Sequence, residues 1–167
     1  MEIREATPTD AANLVAYLKA LMAEPGINIP LTPDEVATVE QERAILEDFE
    51  RSERALMLVA LAEGQLVGEL SLKAISPRKA IRHVASLGMS VKAGWRRKGV
   101  GRELLAAALE WAPTAGIRRV ELWVYARNEP AIKLYESLGF THEGRRKGFI
   151  REGDAYVDDL LMARWLE

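Results

Sequence analysis

Cysteine is missing from the sequence altogether. That excludes disulfides, thiolate metal sites and any acyl-enzyme built on a cysteine nucleophile. Histidine is nearly as scarce: His83 and His142 are the only imidazoles, too few for a dedicated metal centre. No apolar run approaches the roughly 18 residues of a membrane span. The opening Met1-Glu2-Ile3-Arg4 lacks the basic-then-apolar pattern of a secretory signal. The expectation is a cytoplasmic chain with no membrane partner. A net charge of −2 gives it none of the positive field of a general nucleic-acid binder. Repeats, low-complexity tracts and linkers are also absent, so residues 1–167 read as one domain, long enough to bury a real core.

What is present is an ordinary globular balance, 49% hydrophobic and 29% charged, with the charge unevenly placed. The charge in residues 34–53 is mostly acidic, whereas Lys92 to Arg102 holds basic residues and no acid. Periodicity predicts a short strand at 3–6 and a helix that starts at Thr7-Pro8-Thr9-Asp10 and stops at Pro25-Gly26. A loop follows at 27–31, then a second helix opened by the capping box Thr32-Pro33-Asp34-Glu35 and running to Phe49. A hairpin at 55–62 and 66–75 leads to a strand at 81–91. Next come an amphipathic helix at 100–112, a strand at 120–125, and a helix at 128–138 closed by Gly139. A final strand pair, 140–143 and 156–164, turns around Arg151–Asp154, with Arg145-Arg146-Lys147 as a solvated loop. The order β-α-α-β-β-β-α-β-α-β-β predicts a mixed α/β chain with helices on both faces of one sheet.

The most informative segment is Val91-Lys92-Ala93-Gly94-Trp95-Arg96-Arg97-Lys98-Gly99-Val100-Gly101-Arg102. A strand ends, a basic turn follows and a helix begins. The first N–H groups of a helix have no intrahelical partner, and its macrodipole puts partial positive charge there. Gly99 and Gly101 clear space for an anion to approach, and Arg96, Arg97, Lys98 and Arg102 surround the point with charge. The ligand this suits is a pyrophosphate. A Walker A loop would need Lys-Ser/Thr after Gly99, and a dinucleotide fingerprint would need a small residue in place of Leu104.

Arg96-x-x-Gly99-x-Gly101 resembles the Arg/Gln-x-x-Gly-x-Gly/Ala signature of the GNAT superfamily of acetyltransferases. A second stretch, from Val120 to Phe140, resembles that family's last helix. It has a strand, Asn128, Ala131, Tyr135, then Leu138-Gly139-Phe140. Asn128 is a good N-cap. Tyr135, seven residues on, returns to nearly the same helix face about 10 Å along the axis. The two stretches cover Met89 to Phe140, with mild departures at Ala93 and Arg97, where many members have proline and glycine.

The resemblance implies the GNAT acyl-CoA N-acyltransferase fold, a central mixed, mostly antiparallel sheet flanked by helices. It implies acetyl-CoA as co-substrate, no metal, and direct transfer of acetyl to an amine in a ternary complex. The pyrophosphate would lie on the turn Arg96, Arg97, Lys98, Gly99, Val100, Gly101 and Arg102. The pantetheine arm would pair with the backbone of Met89, Ser90 and Val91 as an added strand does, and would touch Asn128. Tyr135 would give its proton to the departing sulfur or hydrogen-bond it. The amine must attack unprotonated; Glu69 and His83 are the candidate bases, with a water chain as the alternative. His83-Val84-Ala85-x-x-Gly88 and Asp159–Arg164 are similar to bacterial members acting on amino acids and related small amines. A protein N-terminus or lysine, or an acyl-CoA sensor without turnover, remain open. Family members often pair, and an exposed edge of the last hairpin is the place for a homodimer.

Overall fold

The computed structural model describes residues 1–167. Seven strands form one sheet in the order β1-β2-β3-β4-β5-β7-β6, with β1 at Glu2–Glu5, β2 at Ala55–Ala62, β3 at Gln65–Ala74, β4 at Val84–Val91, β5 at Arg119–Tyr125, β6 at Thr141–Glu152 and β7 at Ala155–Trp165. Every neighbouring pair is antiparallel except β4 and β5. Four helices, α1 (Ala11–Met22), α2 (Val39–Arg51), α3 (Val100–Trp111) and α4 (Glu129–Ser137), cover the two faces.

The apolar spacing read along α3 is the spacing that becomes buried: Val100, Leu104, Leu105, Ala108 and Leu109 face the sheet. They meet Leu70 and Leu72 of β3 and Leu122 of β5, which are almost fully buried, and this is the larger core. Each such side chain contributes roughly 1.5–3 kcal/mol by leaving water. On the opposite face Leu14 of α1 and Leu46 of α2 close over Val59 of β2. The loop after α1 folds back, and Ile27, Ile29 and Leu31 pack on Tyr17, Leu21 and Met22.

Gly68 sets the height of α3 over the sheet. A Cβ there would meet Val100 at 3.0 Å, Leu104 at 3.1 Å and the Ser90 carbonyl at 3.3 Å, so a side chain there would press on the first turns of the helix.

Three expectations from sequence are corrected. The second helix does not run from Thr32: Pro33–Glu35 is a single 3-10 turn, Val36 is extended, and α2 starts at Val39 under a second capping box, Thr38 with Gln41. The third strand begins at Val84, because residues up to His83 form turns. Arg145-Arg146-Lys147 is strand, since β6 runs from Thr141 to Glu152 beside β7, with register shifts after His142 and after Arg146. Cross-strand charge explains the last point. Arg145 pairs with Asp158 and Arg146 with Asp159, and the Arg146 guanidinium lies 3.4 Å from the ring centroids of both Trp123 and Phe149.

Candidate active site

The two parallel strands stay together only briefly. Val84, Ala85 and Ser86 of β4 pair with Arg119, Val120 and Glu121 of β5, and beyond them the strands part. Strand β4 keeps its antiparallel partner β3 to the end, through Gly68↔Val91, and β5 keeps β7. Each therefore turns a free backbone edge into the gap. A cleft of about 520 Å³ fills that gap, lined among others by Met89, Ser90 and Val91 on one side and Trp123, Asn128 and Tyr135 on the other.

The basic turn sits at the mouth. Arg97 takes φ 64° and Gly99 φ 90°, and α3 follows directly. The backbone amides from Arg97 to Arg102 donate to no protein acceptor; the first bonded amide is Glu103, to the Gly99 carbonyl at 3.0 Å. A run of unpaired N–H groups at the start of a helix is an oxyanion cradle. No carboxylate pairs with Arg97, Lys98 or Arg102; Lys98 rests over the Trp95 ring, and Arg102 donates to Ser137 of α4 at 2.9 Å. Their charge remains available to an anion.

Arg96 differs from the other three. Its Nε donates to the Val91 carbonyl at 2.8 Å, and its guanidinium also pairs with Glu24, whose carboxylate accepts the Ala93 amide at 2.9 Å. Arg96 fastens the turn to the end of α1 and has its charge matched. Val100 is buried in the core, so only its amide faces the cradle. Gly101 is needed first for packing, because a Cβ would lie 3.3 Å from Leu134 and 3.4 Å from Met89.

Asn128 caps α4, its Oδ1 accepting from the Ala131 amide at 3.4 Å, which leaves its NH₂ for the cleft. Tyr135 is buried yet lines the cleft, packed against Phe140 at a 5.7 Å centroid distance. Burial, and then the nearby Glu69 charge, push its hydroxyl up to about 12, so it carries a proton at neutral pH.

Glu69 and His83, the two candidate bases, are separated by the fold. His83 precedes β4 at the end opposite Met89–Val91 and stacks on Trp165 at 5.8 Å, so the structure does not bring it to the cleft. Glu69 lies opposite Ser90 across the β3–β4 ladder, and its Oε1 accepts from Ser90 Oγ at 2.7 Å. It does not itself line the cleft; Ser90 does. Desolvation, only partly offset by that hydrogen bond and reinforced by the buried Glu42 of α2, pushes the Glu69 carboxyl up to about 7.

Several residues that shape the site had no local signature in the sequence. Tyr17 lies in the apolar stripe of α1 and reads as core, yet its hydroxyl is 3.0 Å from Ser90 Oγ. Arg127 donates to Asn28 at 2.9 Å and to both oxygens of Glu152, at 2.8 and 2.7 Å. One guanidinium thus ties the loop of Gly26–Ile29 to the β6–β7 hairpin across the open end of the cleft.

The model of the acetyltransferase (GNAT) family matches residues 15–140. Among curated proteins, the chain is 36% identical over 108 residues to the L-amino acid N-acetyltransferase AaaT of Escherichia coli, covering 64% of this chain and 66% of that protein. Among solved structures, a GNAT-family acetyltransferase from Streptococcus pneumoniae superposes with a TM-score of 0.93 at 32% identity, over 99% of each chain. A GNAT superfamily phosphinothricin acetyltransferase from Sinorhizobium meliloti, solved in complex with AcCoA, superposes with a TM-score of 0.86 at 20% identity, over 99% of this chain and 88% of that one.

Proposed function

Because the chain belongs to the acetyltransferase (GNAT) family, we propose that it moves an acetyl group from acetyl-CoA to the primary amine of an amino acid or related small amine, by direct attack in a ternary complex. The observation that carries this reading is the unpaired run of amides from Arg97 to Arg102 at the mouth of the gap between β4 and β5. The cradle suits the pyrophosphate, with Arg97, Lys98 and Arg102 adding charge. The free edge of β4 at Met89–Val91 suits an extended amide-bearing arm, and its N–H groups can polarise a carbonyl held there. The acyl donor named for the Sinorhizobium neighbour agrees with this assignment.

The chain's own residues supply the rest. Asn128 orients the arm with its free NH₂. Tyr135, held protonated, donates to the sulfur as it leaves. Glu69, held near neutrality by burial, is the proton sink for the attacking ammonium. Acceptor size follows from the tie across the open end: Arg127 and Asn28 wall the cleft, with Glu152 holding Arg127 in place, which favours a small amine over a protein chain. The specificity named for the Escherichia coli relative points the same way.

The test is calorimetric titration with acetyl-CoA, followed by thiol release over the standard L-amino acids, polyamines and short peptides. Binding with thiol release on one small amine is expected, and Gly101→Glu should abolish binding by filling the cradle and the Leu134 contact. Unchanged affinity in that variant would overturn the pyrophosphate assignment. Release only on peptides would move the acceptor to protein termini, and binding with no release on any amine would make the chain a sensor.

A further inference from the structure

Glu69 does not line the cleft, and its carboxylate accepts a hydrogen bond from the Ser90 hydroxyl, which does. We propose that Ser90 Oγ is the catalytic group that takes the proton from the acceptor amine and passes its own to Glu69, with Tyr17 fixing the direction of transfer. The inference rests on the acetyltransfer reading and names the route its proton takes.

Hydrogen-bond arithmetic sets the polarity of this chain. An ionised carboxylate only accepts, so the single Ser90 hydroxyl hydrogen points to Glu69 at 2.7 Å. The contact between Tyr17 and Ser90 at 3.0 Å must then have Tyr17 as donor. Tyr17 is buried, and its hydroxyl is pushed above its ordinary range chiefly by desolvation, so it keeps its proton. A serine oxygen has two lone pairs. Tyr17 occupies one, and the other is left for a donor in the cleft that Ser90 lines. The acceptor's ammonium is such a donor.

The step balances as a proton relay. One N–H bond of the ammonium breaks as an O–H bond forms on Ser90 Oγ; the original Ser90 O–H bond breaks as one forms on Glu69 Oε1. The freed nitrogen pair attacks the thioester carbonyl. The charged and titratable groups around the relay come from α1, α2, α4 and the segments that follow α1 and β4. Glu42 of α2 faces Glu69, Tyr135 of α4 feels the Glu69 charge, and Glu24 with Arg96 flank Tyr17 of α1. None is a cation in contact with Glu69, so the carboxyl can cycle between its two forms near neutral pH. Glu42 and Tyr17 are positioning residues: each acts on the relay without touching the substrate.

The test uses the whole chain, acetyl-CoA, and whichever standard L-amino acid gives the fastest thiol release. Ser90→Ala and Glu69→Gln should each lower kcat about 100-fold with acetyl-CoA affinity by calorimetry unchanged, and the double variant should be no slower than either. Glu42→Gln removes a like charge and should move the acidic limb of the kcat profile to lower pH. Tyr17→Phe weakens Ser90 as a donor to the carboxylate and should move it to higher pH. A Ser90→Ala enzyme with the wild-type rate and limb, beside a crippled Glu69→Gln, overturns the relay while leaving acetyltransfer intact. Multiplicative losses in the double variant also overturn it. A wild-type protein that binds acetyl-CoA but acetylates no amine defeats the functional reading, and the relay with it.

Discussion

Asp10 and Glu69 are both acids drawn out of water, and the fold treats them in opposite ways. Asp10 receives two hydrogen bonds of 2.8 Å from the Arg4 guanidinium and a third from the Thr7 amide, also 2.8 Å. These hold its carboxyl down at about 2. Glu69 receives one hydrogen bond from a neutral hydroxyl and faces another carboxyl, and it is pushed up to about 7. A buried acid with a fork of donors is a clamp: it joins β1 to the start of α1 and stays ionised. A half-buried acid denied a cation stores free energy that chemistry can use.

Substitution should separate the two most strongly at Asp10. Asp10→Ala orphans Arg4 and the Thr7 amide and should cost about 3 kcal/mol of unfolding free energy at pH 7, read by urea titration, with kcat unchanged. Glu69→Gln should do the reverse: turnover falls, while stability at pH 8 rises by about 2 kcal/mol, because an ionised, desolvated carboxylate has been removed. The pH dependence sharpens the contrast. Asp10 has a depressed folded value, so its contribution is present above its unfolded value of 3.8 and lost as pH falls toward 2. Glu69 has a raised folded value, so its cost is absent below 4.5, grows as pH rises, and is complete above about 7. The stability gain of Glu69→Gln should therefore vanish at pH 4, where Asp10→Ala still costs stability. A gain that persists at pH 4 would mean packing, not charge, explains it.

The smallest effect expected is at Arg97. With φ 64° it holds a conformation that glycine adopts freely, and it lacks an acidic partner. Arg97→Gly should raise stability by up to about 1 kcal/mol, read as a higher Tm, and weaken acetyl-CoA binding severalfold through the lost charge. Equal or tighter binding would show that the backbone amides alone hold the phosphates.

The pattern of what could be read in advance follows from range. Strand and helix order, the turn from Arg96 to Arg102 and the Asn128–Tyr135 pair are local signals, written in spacing and capping. Two capping boxes, at Thr32 and Thr38, stand six residues apart and both form; the first opens only a 3-10 turn and the second opens α2, a difference that local spacing does not encode. The strand through Arg145–Lys147 was hidden because charged residues in a row look like solvent until Asp158, Asp159 and two aromatic rings are brought beside them. His83 and Glu69 are equivalent candidates in sequence; the fold places one before β4 against Trp165 and the other opposite Ser90 across the β3–β4 ladder. Tyr17 and Glu24 act on residues more than sixty positions away, through contacts that no local pattern encodes.

The parting of β4 from β5 has a mechanical consequence. Within the sheet, three residue pairs are the whole join between a leaf of β1–β4 and a leaf of β5–β7. The join is a hinge at one end; near the other, α3, α4 and the Asn28–Arg127–Glu152 tie are the struts. A ligand laid along the gap would couple the leaves over their full length, as a spine couples two covers. Alternate amides of Leu87–Val91 on the open edge should exchange with solvent within seconds in the free protein and slow at least tenfold when acetyl-CoA is bound, while Val84–Ser86 change little.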